Sequence, residues 1–234
     1  PPAKNSMQKE LENNLNLVNL SIEAACRSVD VNSKDILLVA VSKKKSLDCI
    51  KAAIEIGVTD FGENYSQELQ EKSEELALHK ISWHFIGPIQ SNKIKSIARH
   101  ANWVHSLDRE SVVQKLNANC AMLKKTINGL IQVNISNEES KSGIAPDEME
   151  NFAKFVNSME NINLKGLMVL PKITDDVEET KLMMRRSKEL HVKLIKLYPD
   201  ASHLSMGTTS DFQIAIECGS NMLRIGELIF GKRL

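Results

Sequence analysis

Short apolar runs recur along this chain, and all but the last are followed by a stretch whose apolar residues return at helical spacing. Eight such runs can be counted, at 37–42, 60–62, 82–86, 102–106, 130–135, 164–170, around His203 and at 222–225. Runs this short and continuous suit strands buried on both faces of a parallel sheet, and the segments between them supply the crossovers such a sheet requires. They succeed one another at intervals of roughly 20–37 residues, the size of a βα unit. A doubly wound open sheet also alternates, but eight units in 234 residues favour a closed (β/α)8 TIM-type barrel.

Upstream of the first run, Leu11, Leu15, Val18, Ile22 and Ala25 share one face of a helix predicted over 7–29, an extra N-terminal helix that covers the barrel or one flank. Pro1 to Ser6 precede Met7 and are set aside as a cloning remnant, leaving 7–234 as a single domain. Ser46 is placed to cap the helix carrying Leu47, Ile50 and Ile54, which stops at Gly57. Ser91 and Asp108 are expected to cap the helices after the third and fourth strands.

Composition narrows the function classes. Thirty basic and thirty acidic residues cancel, which argues against non-specific nucleic-acid binding and leaves no polybasic patch for a membrane surface. No apolar run approaches a bilayer span, and no secretory signal is visible. Cys26, Cys49, Cys120 and Cys218 are scattered without CxxC spacing, the pattern of reduced cysteines in a cytoplasmic protein. The histidines are dispersed and suggest no metal site; His84 reads as a hydrogen-bonded core residue, and His203 has no assigned role.

The chemistry is expected beyond the carboxyl ends of the strands, where barrels keep it. The first run, LLVAVSKKK, ends there in Ser42 and three lysines. Alternation puts Lys43 and Lys45 on one face and Lys44 on the other, and Lys43, nearest the apolar run, is the one expected to point inward. A lysine desolvated at that lip becomes a nucleophilic amine; the plainer alternative is three solvated lysines closing a strand. After the seventh strand, SMGTTSD (205–211) offers hydroxyls, a glycine and a fresh helix start, and after the eighth, RIGELIFG (224–231) offers Gly226. Loops seven and eight are where barrels commonly bind phosphate. A reactive lysine facing a phosphate site suits a phosphorylated carbonyl compound held as a Schiff base, either pyridoxal phosphate or the substrate of a sugar-phosphate aldolase.

Taken together, VAVSKKK, FGENYSQE, WHFIGPIQSNK, VNISNEESKSGI, GLMVL, SMGTTSDFQIAIECGSNMLRIG and IFG resemble the YggS/PROSC-type pyridoxal phosphate (PLP) homeostasis proteins, in the family's order and over most of the chain. The resemblance implies a barrel like the N-terminal domain of alanine racemase, with PLP held as an aldimine on Lys43. It also implies that Ser205, Gly207, Thr209, Gly226 and Glu227 surround the phosphate, Arg224 faces the pyridine nitrogen and Asn64 lies beside the ring. Two positions depart from the family pattern. Gly207-Thr208-Thr209 stands where GMS is usual, and Glu227 stands where a threonine often follows RIG, so Glu227 is expected to offer only its N–H.

An arginine at the pyridine nitrogen leaves that nitrogen unprotonated and weakens the electron sink. With the lysine as the one obvious acid/base group, efficient racemisation is not expected. The leading expectation is a non-catalytic, cytoplasmic, monomeric PLP-binding protein acting in PLP homeostasis, with PLP-dependent apo-enzymes as recipients. A weak PLP-dependent amino-acid racemase is the alternative, followed by a Schiff-base aldolase and a plain scaffold. Serines and Lys141 in the 136–143 loop would reach a ligand if that loop closed over the site, but an exposed polar loop is the simpler reading.

Overall fold

Strands and helices alternate as the periodicity predicts, and in the computed structural model the sheet closes on itself. The structure describes residues 2–139 and 142–232, with side chains from residue 6 onward. Eight strands pair in sequence order: β1 (Leu37–Val41), β2 (Asp60–Glu63), β3 (Ser82–Phe85), β4 (Trp103–Leu107), β5 (Ile127–Val133), β6 (Ile162–Val169), β7 (His203–Ser205) and β8 (Met222–Ile225). All the pairings are parallel, and β8 returns to β1 with Val39 opposite Arg224. The outer helices are α2 (Leu47–Glu55), α3 (Ser66–Glu75), α4 (Ile94–His100), α5 (Glu110–Met122), α6 (Met149–Asn157), α7 (Val177–Leu197) and α8 (Phe212–Glu217). A one-turn α9 (Glu227–Phe230) follows β8, so the last strand also carries a helix.

The N-terminal helix, α1 (Pro2–Ser28), begins ahead of Met7 and packs against α2, α8 and α9. Its Leu11, Val18, Ile22 and Ala25 are all buried, as the spacing requires. Ser46 accepts the Cys49 amide at 3.1 Å and caps α2 as expected. The other two expected caps are not made. Ser91 opens a 3-10 turn ahead of α4, whose cap position is Lys93, and α5 starts after Arg109 with no side-chain cap. The Asp108 carboxylate instead accepts the Gly143 amide at 2.9 Å, tying the loop after β5 to the end of β4. A tertiary partner has won over the local cap.

Strand alternation sorts residues into two environments. Outward, Ala40, Phe61, Trp83, Phe85, Leu204, Leu223 and Ile225 join the apolar layer beneath the helices. Inward, Val39, Trp103, Leu130, Met168 and Met222 form a separate apolar cluster inside the barrel. Among the described residues no helix is long and apolar enough to cross a membrane, and no cluster of His, Cys, Asp and Glu could hold a metal ion. All four cysteines are free.

Candidate functional site

A cavity of about 530 Å³ opens at the carboxyl end of the barrel, lined by Lys43, Lys45, Asn64, Thr209, Arg224, Gly226 and Glu227 with Val41, Ile86 and Leu170. Its size falls in the usual range for a small-molecule site, roughly 300–1,000 Å³. Six of the eight residues singled out by resemblance therefore share one wall system. The other two, Ser205 and Gly207, lie behind it.

Lys43 reaches the cavity from a turn rather than from the strand. β1 ends at Val41, Lys45 N donates to Ser42 O at 3.0 Å, and Lys44 takes φ +60°. That turn keeps Lys43 and Lys45 on the cavity side while the Lys44 amide donates outward to Glu68 Oε2 at 2.8 Å. Lys45 Nζ donates to Gly231 O at 3.3 Å, whereas Lys43 Nζ has no hydrogen-bond partner among the described residues. Lys43 is half-buried. It stands in an open cavity rather than in the apolar lip that the sequence suggests.

Beneath this turn lies a buried charged cluster. Lys72 of α3 donates to Ser42 O at 2.7 Å, Glu63 Oε2 at 2.8 Å and Glu68 Oε2 at 2.8 Å, which uses all three of its ammonium protons. The Ser42 hydroxyl also donates to Glu63 Oε2, while Glu63 Oε1 is buried with no partner among the described residues. Burial raises the Glu63 carboxyl to about 7, against the opposing pull of Lys72 and Ser42. The cluster grips the backbone on both sides of Lys43.

The opposite wall is built by the loops after β7 and β8. Asp211 Oδ1 accepts the Thr208 amide at 2.8 Å, and the Thr208 carbonyl accepts the amides of Asp211 and Phe212. Thr209 lines the cavity, and its hydroxyl and amide have no hydrogen-bond partner among the described residues. Gly207, at φ +109°, shapes this loop from behind: a Cβ there would lie 2.7 Å from Ala215 Cβ, and its carbonyl accepts the Arg224 amide at 3.0 Å. At Gly226 a Cβ would meet Val41 O at 3.0 Å, so glycine keeps this edge of the cavity low. It opens α9, its carbonyl accepting the amides of Ile229 at 3.0 Å and Phe230 at 2.9 Å, while the amides of Glu227 and Leu228 precede the first bond of the helix. Glu227 is exposed.

Arg224 forms the floor and is 5% exposed. Nη1 donates to Ser205 Oγ at 2.5 Å and Nη2 to Val169 O at 3.2 Å. Burial pulls its guanidinium down to about 10, opposed by Asp211, which leaves it cationic at neutral pH. Ser205, fully buried, supports Arg224 and does not reach the cavity wall. The Asn64 side-chain carbonyl is buried at the cavity edge with no partner among the described residues, an acceptor open to a ligand. His84 is a hydrogen-bonded core residue as read, and His203 packs edge-on to Trp103 near the amino end of the barrel. His105, which bonds Ser205 at 2.9 Å, has no sequence signal beyond its inward register on β4. Of the 136–143 loop, Ser140 and Lys141 lie outside the described residues.

A barrel with this mouth is the class described as the alanine racemase N-terminal domain, whose family model matches residues 22–233. The "Pyridoxal phosphate homeostasis protein" of Haemophilus influenzae is 44% identical over 227 residues, covering 95% of this chain and 96% of that one. The chain belongs to the family of pyridoxal phosphate homeostasis proteins. Among solved structures, an unknown protein from Bifidobacterium adolescentis is 28% identical with a TM-score of 0.91, covering 96% of each chain. PipY from Synechococcus elongatus, solved with PLP bound, is 27% identical with a TM-score of 0.76 over 90% of this chain and all of that one.

Proposed function

We propose that this protein holds pyridoxal phosphate on Lys43 and acts in the cytoplasmic supply of that cofactor without turning over substrates efficiently. The observation that carries the reading is the cavity that faces an unpartnered lysine amine with a buried arginine and the loops after β7 and β8. The names of the relatives and the PLP-bound PipY structure support the same ligand. The Lys43 amine would hold the aldehyde of that cofactor as a Schiff base. Thr209 and the amides at Gly226 and Glu227 take the phosphate, Asn64 lies at the ring and Arg224 meets the pyridine nitrogen. Bound PLP supplies an electron sink, and a cationic guanidinium at the ring nitrogen keeps that sink weak. The protein acts as a monomer, and PLP-dependent apo-enzymes are the natural recipients.

The test is the absorption spectrum of purified protein before and after borohydride, with peptide mapping. A visible band lost on reduction, a pyridoxyl group on Lys43, and loss of both in Lys43→Ala are expected. A colourless protein that PLP cannot reconstitute overturns the reading. Rapid exchange of the α-proton of alanine or serine would favour the racemase instead.

A further inference from the structure

The floor of the cavity is joined to the far end of the barrel by an unbroken run of side-chain hydrogen bonds through the lumen. Arg224 Nη1 lies 2.5 Å from Ser205 Oγ, which lies 2.9 Å from His105 Nδ1. His105 Nε2 lies 2.9 Å from His84 Nδ1, and His84 Nε2 lies 2.7 Å from Asp60 Oδ2. The three middle residues are fully buried, so no solvent intervenes. Asp60 sits at the start of β2, its side chain 16% exposed, in a second cavity of about 500 Å³ at the amino end of the barrel.

The two ends determine every proton between them. A guanidinium only donates and an ionised carboxylate only accepts, while a neutral imidazole does one of each. Asp60 therefore takes the proton-bearing Nε2 of His84, which leaves His84 Nδ1 to accept from His105 Nε2–H. His105 Nδ1 must then accept the Ser205 hydroxyl proton, and the serine oxygen presents its lone pairs to Arg224. Read from Arg224, the chain gives the same assignment. Protonating either histidine breaks it, because the Ser205 proton then faces a donor on each side. Burial favours the neutral form of both rings. Burial raises the Asp60 carboxyl, but hydrogen bonds led by His84 outweigh it and hold the group below its ordinary range, in its accepting form.

We propose that Asp60 is a positioning residue for the binding cavity. It touches no part of that cavity, yet it fixes the tautomers of His84 and His105 and the rotor of Ser205. Arg224 is thereby locked with its Nη1–H on Ser205 and its Nη2–H on Val169. Where the cavity holds PLP, an inference that rests on the functional reading above, the locked guanidinium presents only a donor to the ring nitrogen. A carboxylate at the barrel's foot thus helps to keep the bound cofactor a poor electron sink.

The experiment begins on cofactor-free protein with 15N-labelled histidine. Imidazole long-range correlation spectra are expected to show His84 and His105 as neutral Nε2–H tautomers, without titration between about pH 5 and 8. Asp60→Asn removes the charge with almost no change of shape. It is expected to mix the tautomers and to speed exchange of the Arg224 guanidinium protons, with Asp60→Glu restoring both. On PLP-loaded protein the same variant should shift the visible band and release cofactor about three- to tenfold faster. A cationic or Nδ1–H histidine in the parent overturns the assignment. Unchanged tautomers, arginine exchange and visible band in Asp60→Asn overturn the role of Asp60. A parent with the assigned tautomers that binds no PLP sinks the functional reading alone and leaves the lumen assignment standing.

Discussion

The same strands build two interiors that differ in kind. On their outward faces Phe61, Phe85, Leu204 and Leu223 pack against helices in a layer where contacts are apolar and interchangeable. One residue away on each strand, Gly62, His84, Ser205 and Arg224 face the lumen, and three of the four are directional hydrogen-bonding groups. The outer layer holds the barrel together by removing area from water. The lumen gives up some of that gain for orientation, because each polar group there is stable only while its partner stays in place. Glu63 is the informative exception: an acid on an outward position of β2, kept in the apolar layer by Lys72 and used to hold the turn that carries Lys43.

That contrast can be tested in order of expected effect. Phe61→Ala, in the outer layer, should cost about 3–5 kcal/mol in denaturant unfolding and leave the visible spectrum of the loaded protein unchanged. Glu63 should make stability fall with pH. Its folded carboxyl is raised from 4.5 to about 7, so stability is fully present below 4.5 and declines as the pH rises through about 7. Glu63→Gln does not titrate, and its stability relative to the parent should therefore rise across that window by roughly 3 kcal/mol at most. A flat difference between pH 4 and 8 would sink this account of the cluster. His105→Leu is expected to cost about 1–3 kcal/mol, because it leaves His84 and Ser205 unpaired. Unlike Phe61→Ala, it should shift the spectrum of bound cofactor. If both variants moved the spectrum equally, the distinction between the two interiors would fail.

Much of the barrel is legible in the sequence because strand burial and helix amphipathicity are local patterns repeated eight times. The cavity is legible for a related reason: Lys43, Thr209 and Gly226 follow strand ends, and strand ends converge at one mouth. The failures share a cause. Asp108 looks like a cap, but its carboxylate serves Gly143, 35 residues away. Ser205, which the resemblance implies lies by the phosphate, is the last residue of β7, and its hydroxyl meets His105 and Arg224 in the lumen. His84, His105 and Ser205 carry no mutual spacing signal, since only the register across closed strands brings them into line. Lys72 carries no signal of its own in the sequence, and only α3 lying over the end of β1 brings it to Ser42 and Glu63.

The cavity lies on the seam where the first strand meets the last. Lys43 extends from β1, Arg224 stands on β8, and Val39 pairs directly with Arg224. The seam is braced from outside by α1, whose Asn14 donates to Ile229 O at 3.0 Å. A nascent chain emerging from the ribosome presents its lysine early, but it has no opposite wall until β8 has emerged and closed the cylinder. Ligand capture is therefore a late event in the life of the polypeptide, available only to a finished barrel. Whatever occupies the cavity then acts as a clasp between the two ends of the sheet, and its binding energy resists the opening of the one joint made last.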